Sequence, residues 1–404
     1  MSNVVLAVVV TLATQAIVAT AIIAPSVIAP AAAADLGVAP QSVGLIVALS
    51  YTLAMVSGLT VSGLVTRFGP LRICQVAVLL GAAGLALGAP GSIALVFGAA
   101  ALIGIGYGMV TPTSSHILVQ AAPRERLAVI FSIKQTGVPI GGAIAGALIP
   151  PLVLAFGWHQ TLLVLAAGCA LVAVAMQPAR PRFDRRREPA RKTSWSQLFA
   201  PVKLVAKTPE LRVLAALSLA YAQVQLAFVT YFVSFLNLEI GRTLVAAGLI
   251  YAVAHVASIV GRVAWGVAAD RLLSPRIVLA ALGILSGVCG IVTAIAAPTW
   301  TTAAFIVLGA VYGASAVGWN GVYLAEVARS APEGQVGPAT GGTQFFTFSG
   351  ALSGPPLFAA LVWLTEGYRA GFVFFAVLPF LVGVWLFASA PPRKSADAPA
   401  GTPQ

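Results

Sequence analysis

Two basic side chains, Arg262 and Lys134, lie well inside long hydrophobic stretches of this chain, and no Asp or Glu lies at comparable depth. Tyr251, His255, Ser258 and Arg262 are spaced i, i+4, i+7 and i+11, which puts them on one face of a helix. A helix in lipid keeps such a polar face for a reason. Both cations sit about eight residues, roughly 12 Å, from the nearer end of their helices. A lysine or arginine side chain reaches only about 6 Å, so neither head fully gains the interface. An unpaired buried charge costs several kcal/mol. With no buried carboxylate to neutralise them, both groups are expected to face a water-filled cavity, where an anionic ligand supplies the missing charge. The planar fork of arginine suits a carboxylate. The competing readings are a structural charge at an inner gate for Arg262 and a snorkelled or carbonyl-bound lysine for Lys134.

His255 lies two turns from Arg262 on the same face and titrates near neutral pH, so it is the candidate proton carrier. The competing reading is a neutral histidine held in helix packing. Tyr251, Gln15, Gln135, Tyr221, Gln225, Trp319, Asn320 and Gln344 are further candidates to line a binding cavity, or else hydrogen-bond between helices. The stripe Tyr312, Trp319, Tyr323 reads as packing. His116 is a weaker candidate, and His159 falls in a loop. Cys74, Cys169 and Cys289 fall in three different hydrophobic stretches without metal-site spacing and read as packing residues. No phosphate-binding loop, nucleophile elbow or dinucleotide fingerprint is present. The expectation is a protein that is not an enzyme and that uses no cofactor and no metal.

The elements that must position these residues follow from composition. The chain has 404 residues, 59% hydrophobic and only 8% charged, too little charge to cover a soluble protein of this size. Twelve hydrophobic runs, each long enough to cross a bilayer, are expected near 4–29, 42–65, 71–89, 93–119, 127–154, 158–177, 211–236, 244–269, 276–296, 299–325, 338–363 and 369–390. We number them spans 1 to 12. The first run starts near Val4 without a basic leader and is too long for a signal peptide.

The net charge of +12 sits in short loops, which is the pattern of membrane orientation and not of nucleic-acid binding. Arg67, Arg72, Arg124, Arg126, Arg271, Arg276, Arg329, Arg393, Lys394 and the basic stretch 178–210 share one side. Arg242 and Arg369 fall on the other, beside Asp35, Glu239 and Glu366. Both termini are therefore expected in the cytoplasm. The Arg- and Pro-rich stretch reads as a linker that turns amphipathic around 195–199, where a short helix would lie along the membrane surface.

The chain repeats itself. At an offset of 205, Gly104, Tyr107, Gly108, Pro150 and Pro151 match Gly309, Tyr312, Gly313, Pro355 and Pro356. At 204, Thr66-Arg67 matches Asp270-Arg271 and Arg72 matches Arg276. Two parallel six-helix halves with a site between them at mid-depth form a transporter architecture.

These features together resemble the major facilitator superfamily over essentially the whole chain. Its motif G-x-L-a-D-R-x-G-r-r is similar to SGLVTRFGPLR at 62–72, with Arg67, Gly69 and Arg72 in place but Thr66 where the motif has its acid. The copy at 266–276, GVAADRLLSPR, keeps Gly266, Asp270 and Arg271. The resemblance implies a cytoplasmic gate held by charge pairs, with Glu326 as the expected partner of Arg271. TGVPIGGAIAGALIPP at 136–151 partly resembles the antiporter motif G-P-x-x-G-G, but its proline sits one residue late at Pro139; Gly137, Gly141, Gly142 and Gly146 read as close helix packing. The segment from Gly261-Arg262 to Asp270-Arg271 resembles helix 8 of the monocarboxylate and oxalate–formate porters, where an arginine binds the substrate carboxylate. Nitrate porters pair such an arginine with one in helix 2, and here Ser57-Gly58 stands in that region.

The expectations are thus an all-α membrane protein of twelve transmembrane helices in two pseudo-symmetric six-helix bundles, 1–178 and 211–390, with a linker at 179–210 and a tail at 391–404. It would act as a monomer in the cell (inner) membrane, moving a small organic anion with protons and contacting the lipid bilayer but no nucleic acid. An exporter of hydrophobic compounds and a non-transporting receptor on the same fold are the alternatives.

Overall fold

In the computed structural model, residues 3–121, 123, 127–184, 200–333 and 335–389 are described. They form helices, and no strand occurs among them. Arg124, Arg126, Arg185, Arg186, Arg187, Arg191, Lys192, the 195–199 segment and the tail from 390, with Arg393 and Lys394, lie outside the described residues.

The spans are Asn3–Leu36, Pro40–Thr60, Pro70–Gly88 and Ile93–Ala121, then one continuous run Ile130–Phe183. After these come Pro209–Glu239, Leu244–Leu272, Pro275–Ile295, Thr302–Ser330, Val336–Thr365 and Arg369–Ala388. The long run holds spans 5 and 6. They are divided at Gly157, whose φ of 79° and ψ of 164° are non-helical and open to glycine without a Cβ penalty. Twelve crossings put residues 3 and 388 on the same side, called here the terminal face; the other is the distal face.

Spans 1–6 and 7–12 form two halves that meet through span 5 on span 8, span 2 on span 11 and span 1 on span 7. Lipid tails are as apolar as a helix surface, so burial alone does not drive these helices together; close backbone approach does. A Cβ on Gly248 would lie 2.4 Å from the Gly146 carbonyl oxygen and 2.5 Å from Pro150. A Cβ on Gly44 would lie 2.5 Å from the Pro355 carbonyl oxygen. Gly44 and Gly248 are 204 residues apart, and Pro150 and Pro355 are 205 apart. The repeat therefore marks one contact made twice about a pseudo-twofold axis. Tyr231 adds to the seal, its hydroxyl donating to the Pro355 carbonyl at 2.6 Å with the Gln41 carbonyl 3.2 Å away. All of this lies toward the distal face. Toward the terminal face, span 11 is partly exposed from Gln344 to Ser349.

The loops carry their own fastenings. On the distal face, Glu239 pairs with Arg369 at 2.6 Å and accepts the Tyr368 N–H at 2.7 Å, joining the end of span 7 to the start of span 12. On the terminal face, the first motif copy has an acid that the local pattern did not reveal. Asp184, just after span 6, is buried and accepts the Leu71 N–H at 2.8 Å and the Arg72 N–H at 3.2 Å. It thus caps the N-terminus of span 3 from a distance in sequence, where free N–H groups and the helix dipole favour a carboxylate. Arg180 stands 3.4 Å from the same carboxylate. Gly69, with φ 95°, lets the two segments approach, since a Cβ there would lie 2.5 Å from the Asp184 carboxyl carbon. Beyond the undescribed segment, the helix Ala200–Lys207 packs against span 11, with Val205 buried.

Two outcomes follow from these contacts. Asp184→Ala removes the cap and should cost on the order of 1–2 kcal/mol, read as a lowered thermal midpoint of the detergent-solubilised protein. Gly248→Val should prevent distal closure. A reporter Val47→Cys, buried in span 2, should then react with a membrane-impermeant thiol reagent in that background and stay protected otherwise.

Candidate functional site

Span 8 is continuous helix from Leu244 to Val267, capped by the Thr243 side chain accepting the Ala246 N–H, so His255 and Arg262 stand two turns apart on one face. The helix packing against it on each side is broken. Span 5 pauses at Thr136, between the helices Leu127–Gln135 and Gly137–Ala175. Span 10 passes through a π-helical turn at Gly313–Val317 and resumes at Asn320. Such turns interrupt the hydrogen-bond ladder and recur at functional sites.

The Arg262 guanidinium joins the two breaks. It donates to the Gln135 carbonyl of the first half at 3.0 Å and to the Val317 carbonyl of its own half at 3.0 Å. Trp265, one turn on, donates to the Ala314 carbonyl in the same π-turn at 2.9 Å. The Arg262 Nε is buried and has no partner. No carboxylate pairs with this guanidinium among the described residues.

Above Arg262 is a mid-depth cavity of about 30 Å³, lined from both halves by Ala19, Ile22, Tyr51, Tyr107, Val138, Gln225, His255 and Val317 among others. That is room for a water or two, so a larger ligand requires the halves to part. His255 is buried, its ring lies against Gly142, and neither ring nitrogen has a partner. The Tyr251 ring meets it edge-on at 4.5 Å. Gln225 Oε1 accepts from Trp319 Nε1 at 2.9 Å and from Asn320 Nδ2 at 3.3 Å.

Of the residues expected from sequence, Gln225 and His255 line this cavity, and Gln135 contributes its carbonyl to Arg262. Trp319 and Asn320 stand behind Gln225. Tyr221 and Tyr251 face other acceptors: Tyr221 donates to the Leu279 carbonyl at 2.7 Å, and Tyr251 is near the Val229 carbonyl at 3.4 Å. Gln15 is buried beside Gly137 with its Oε1 unpaired. Gln344 is partly exposed on span 11.

Lys134 does not join Arg262. It is buried in the first half, 3.3 Å from Gln135 Oε1, and close enough to Cys74 of span 3 to interact with it electrostatically. It is two residues before the span 5 break at Thr136, and its side chain turns into the bundle.

Glu326, the expected gate partner of Arg271, stands 3.7 Å from Arg329, three residues along the same helix. Asp270 and Arg271 are exposed in the π-turn Ala268–Leu272 and make no ion pair among the described residues. Gly266 has open space around it. Arg67 lies over the Phe68 ring at 5.0 Å.

Sequence reasoning missed Tyr51 and Tyr107. Their rings meet edge to face at 5.7 Å, Phe348 of span 11 is 6.4 Å from Tyr51, and Tyr107 lies within electrostatic reach of Arg262. The repeat held the signal, because Tyr51 stands 204 residues before His255 and is its counterpart in the first half.

A sequence model described as Major Facilitator Superfamily matches residues 9–351. The hexuronate transporter of Bacillus subtilis (strain 168) is 25% identical over 307 residues, covering 70% of this chain and 71% of that protein. Monocarboxylate transporter 13 of Rattus norvegicus is 25% identical over 320 residues, covering 77% and 71%. Among solved structures, a POT family transporter in complex with 5-aminolevulinic acid superposes with a TM-score of 0.77 at 14% identity, over 95% of both chains. A peptide transporter POT superposes at 0.75 with 17% identity, over 94% of this chain and 93% of that one. At those identities the structures establish the shared fold. With twelve crossings in two related halves, a cavity between them and a family match over most of its length, this multi-pass membrane protein belongs to the major facilitator superfamily of transporters.

Proposed function

We propose that the protein carries a small organic anion, a carboxylate, across the membrane by alternating access, and that Arg262 is its anion-binding group. One observation carries this reading: a guanidinium at mid-membrane is held by two backbone carbonyls, keeps one N–H without a partner, and meets no carboxylate among the described residues. Neutral carbonyls offset part of a cation's desolvation and leave its charge unmatched, so an entering carboxylate gains a charge-assisted, two-point contact. The names of the two relatives, a hexuronate transporter and a monocarboxylate transporter, both specify carboxylates.

The other walls suit such a cargo. Tyr51 and Tyr107 from the first half and Gln225 from the second offer neutral donors around it, and Ile22, Ile23 and Val229 supply an apolar side. His255 contributes two ring nitrogens without protein partners. A proton taken up there would offset the charge of the anion, which makes the reading one of proton symport. With both termini in the cytoplasm, the side to which the basic loops point, the distal seal would be the outer one.

Arg262→Ala should abolish uptake of labelled monocarboxylates and sugar acids by proteoliposomes while the protein keeps its elution profile and helical spectrum. Undiminished uptake would remove the anion site from this position. His255→Gln should leave counterflow exchange of the same acids within about threefold of the unsubstituted protein. It should also end accumulation driven by an imposed proton gradient, which is measured by comparing the two assays in one preparation.

A further inference from the structure

Pro139 has no part in the binding site, yet it decides what Arg262 can touch. In an α-helix the N–H of residue i bonds the carbonyl of residue i−4, and proline has no N–H. The carbonyl left without a donor by Pro139 is that of Gln135, the one to which Arg262 donates at 3.0 Å. On either side of the gap the chain closes its own bonds, with Ile140 N–H to the Thr136 carbonyl at 3.0 Å and Thr136 N–H to the Ile133 carbonyl at 3.1 Å. An orphaned carbonyl inside a membrane must find a donor, and this one finds it across the interface between the halves.

The repeat supplies an internal control. Span 5 on span 8 and span 11 on span 2 are the same contact in the two halves. At the repeat offsets, Pro139 corresponds to Gln344 and Arg262 to Gly58. Where the helix has an amide N–H, the facing helix has no cation; where the N–H is missing, the facing helix has the arginine.

We propose that Pro139 is a positioning residue that makes the Gln135 carbonyl an interdomain latch for Arg262, and that a bound substrate anion releases this latch by competing for the guanidinium. The second clause rests on the anion reading above; the first does not. Arg262 keeps its grip on Val317 in its own half while the bond to Gln135 is exchanged for one to the anion. Substrate binding thereby breaks a specific contact between the halves, which is what a carrier needs if loading is to change the access of the site.

The test uses the full chain in lipid nanodiscs, with Cys74, Cys169 and Cys289 replaced and spin labels at Ile133→Cys and Val267→Cys, exposed positions on spans 5 and 8. Pro139→Ala restores the N–H and lets the Gln135 carbonyl close its own helix. Without any ligand, it should shift the interlabel distance distribution toward longer separations. The same substitution in an Arg262→Ala background should produce no further shift. Carboxylate affinity should rise about ten- to a hundredfold, the scale of removing one competing charge-assisted hydrogen bond, while turnover falls. Pro139→Gly, which also restores the N–H, should act alike. A kink with only a structural role predicts an unchanged affinity and shifts that add between Pro139→Ala and Arg262→Ala; either result overturns the latch. If the unsubstituted protein binds no carboxylate but the distances behave as described, the latch stands and the anion reading falls.

Discussion

A backbone carbonyl inside a membrane must have a donor, and a guanidinium there must have acceptors. This protein solves the two problems with each other. Span 5 is broken near Pro139 and span 10 in its π-turn, and Arg262 reaches a carbonyl at each break. The contact is strong enough to order the interface and neutral enough to leave the cation's charge unmatched. A carboxylate at the same place would have closed the site permanently; carbonyls leave it open to a better partner.

Around this polar centre the halves follow a different rule. Gly44 against Pro355 and Gly248 against Pro150 bring backbones together with hardly a side chain between them, and the pseudo-twofold axis repeats the arrangement. Contacts of that kind depend on shape, so they can be made and unmade as rigid units. The symmetry is broken where chemistry is needed. Tyr51 stands opposite His255, Gly58 opposite Arg262, and Gln344 opposite Pro139 in the repeat. One half contributes neutral hydroxyls, the other a cation and an imidazole. The same division appears at the terminal face, where Thr66 replaces the acid kept at Asp270, and Asp184 arrives from beyond span 6 to cap span 3.

Several features were legible in the chain and several were not. Hydrophobic length placed the spans to within a few residues in most cases, because in lipid a helix must satisfy its own backbone. That Glu326 lies beside Arg329 was beyond reach, since which arginine a carboxylate meets depends on how the helices pack. Lys134 and Arg262 look alike as buried cations in a hydrophobic sequence, yet one turns into its own bundle and the other reaches across the interface. Tyr51 carried no mark beyond its register in the repeat.

By itself the sequence determined the membrane-spanning character, the two related halves, the absence of mid-membrane acids and the family motifs. These depend on residue type and spacing along one helix, and hydrocarbon solvent enforces them locally. Only the tertiary structure decided which polar groups share a cavity, that Asp184 comes from beyond span 6 to cap span 3 beside the motif, and that the late proline at 139 frees a carbonyl for Arg262. Each of these joins residues more than a hundred positions apart, and their meeting is set by how whole helices pack, which no local pattern encodes.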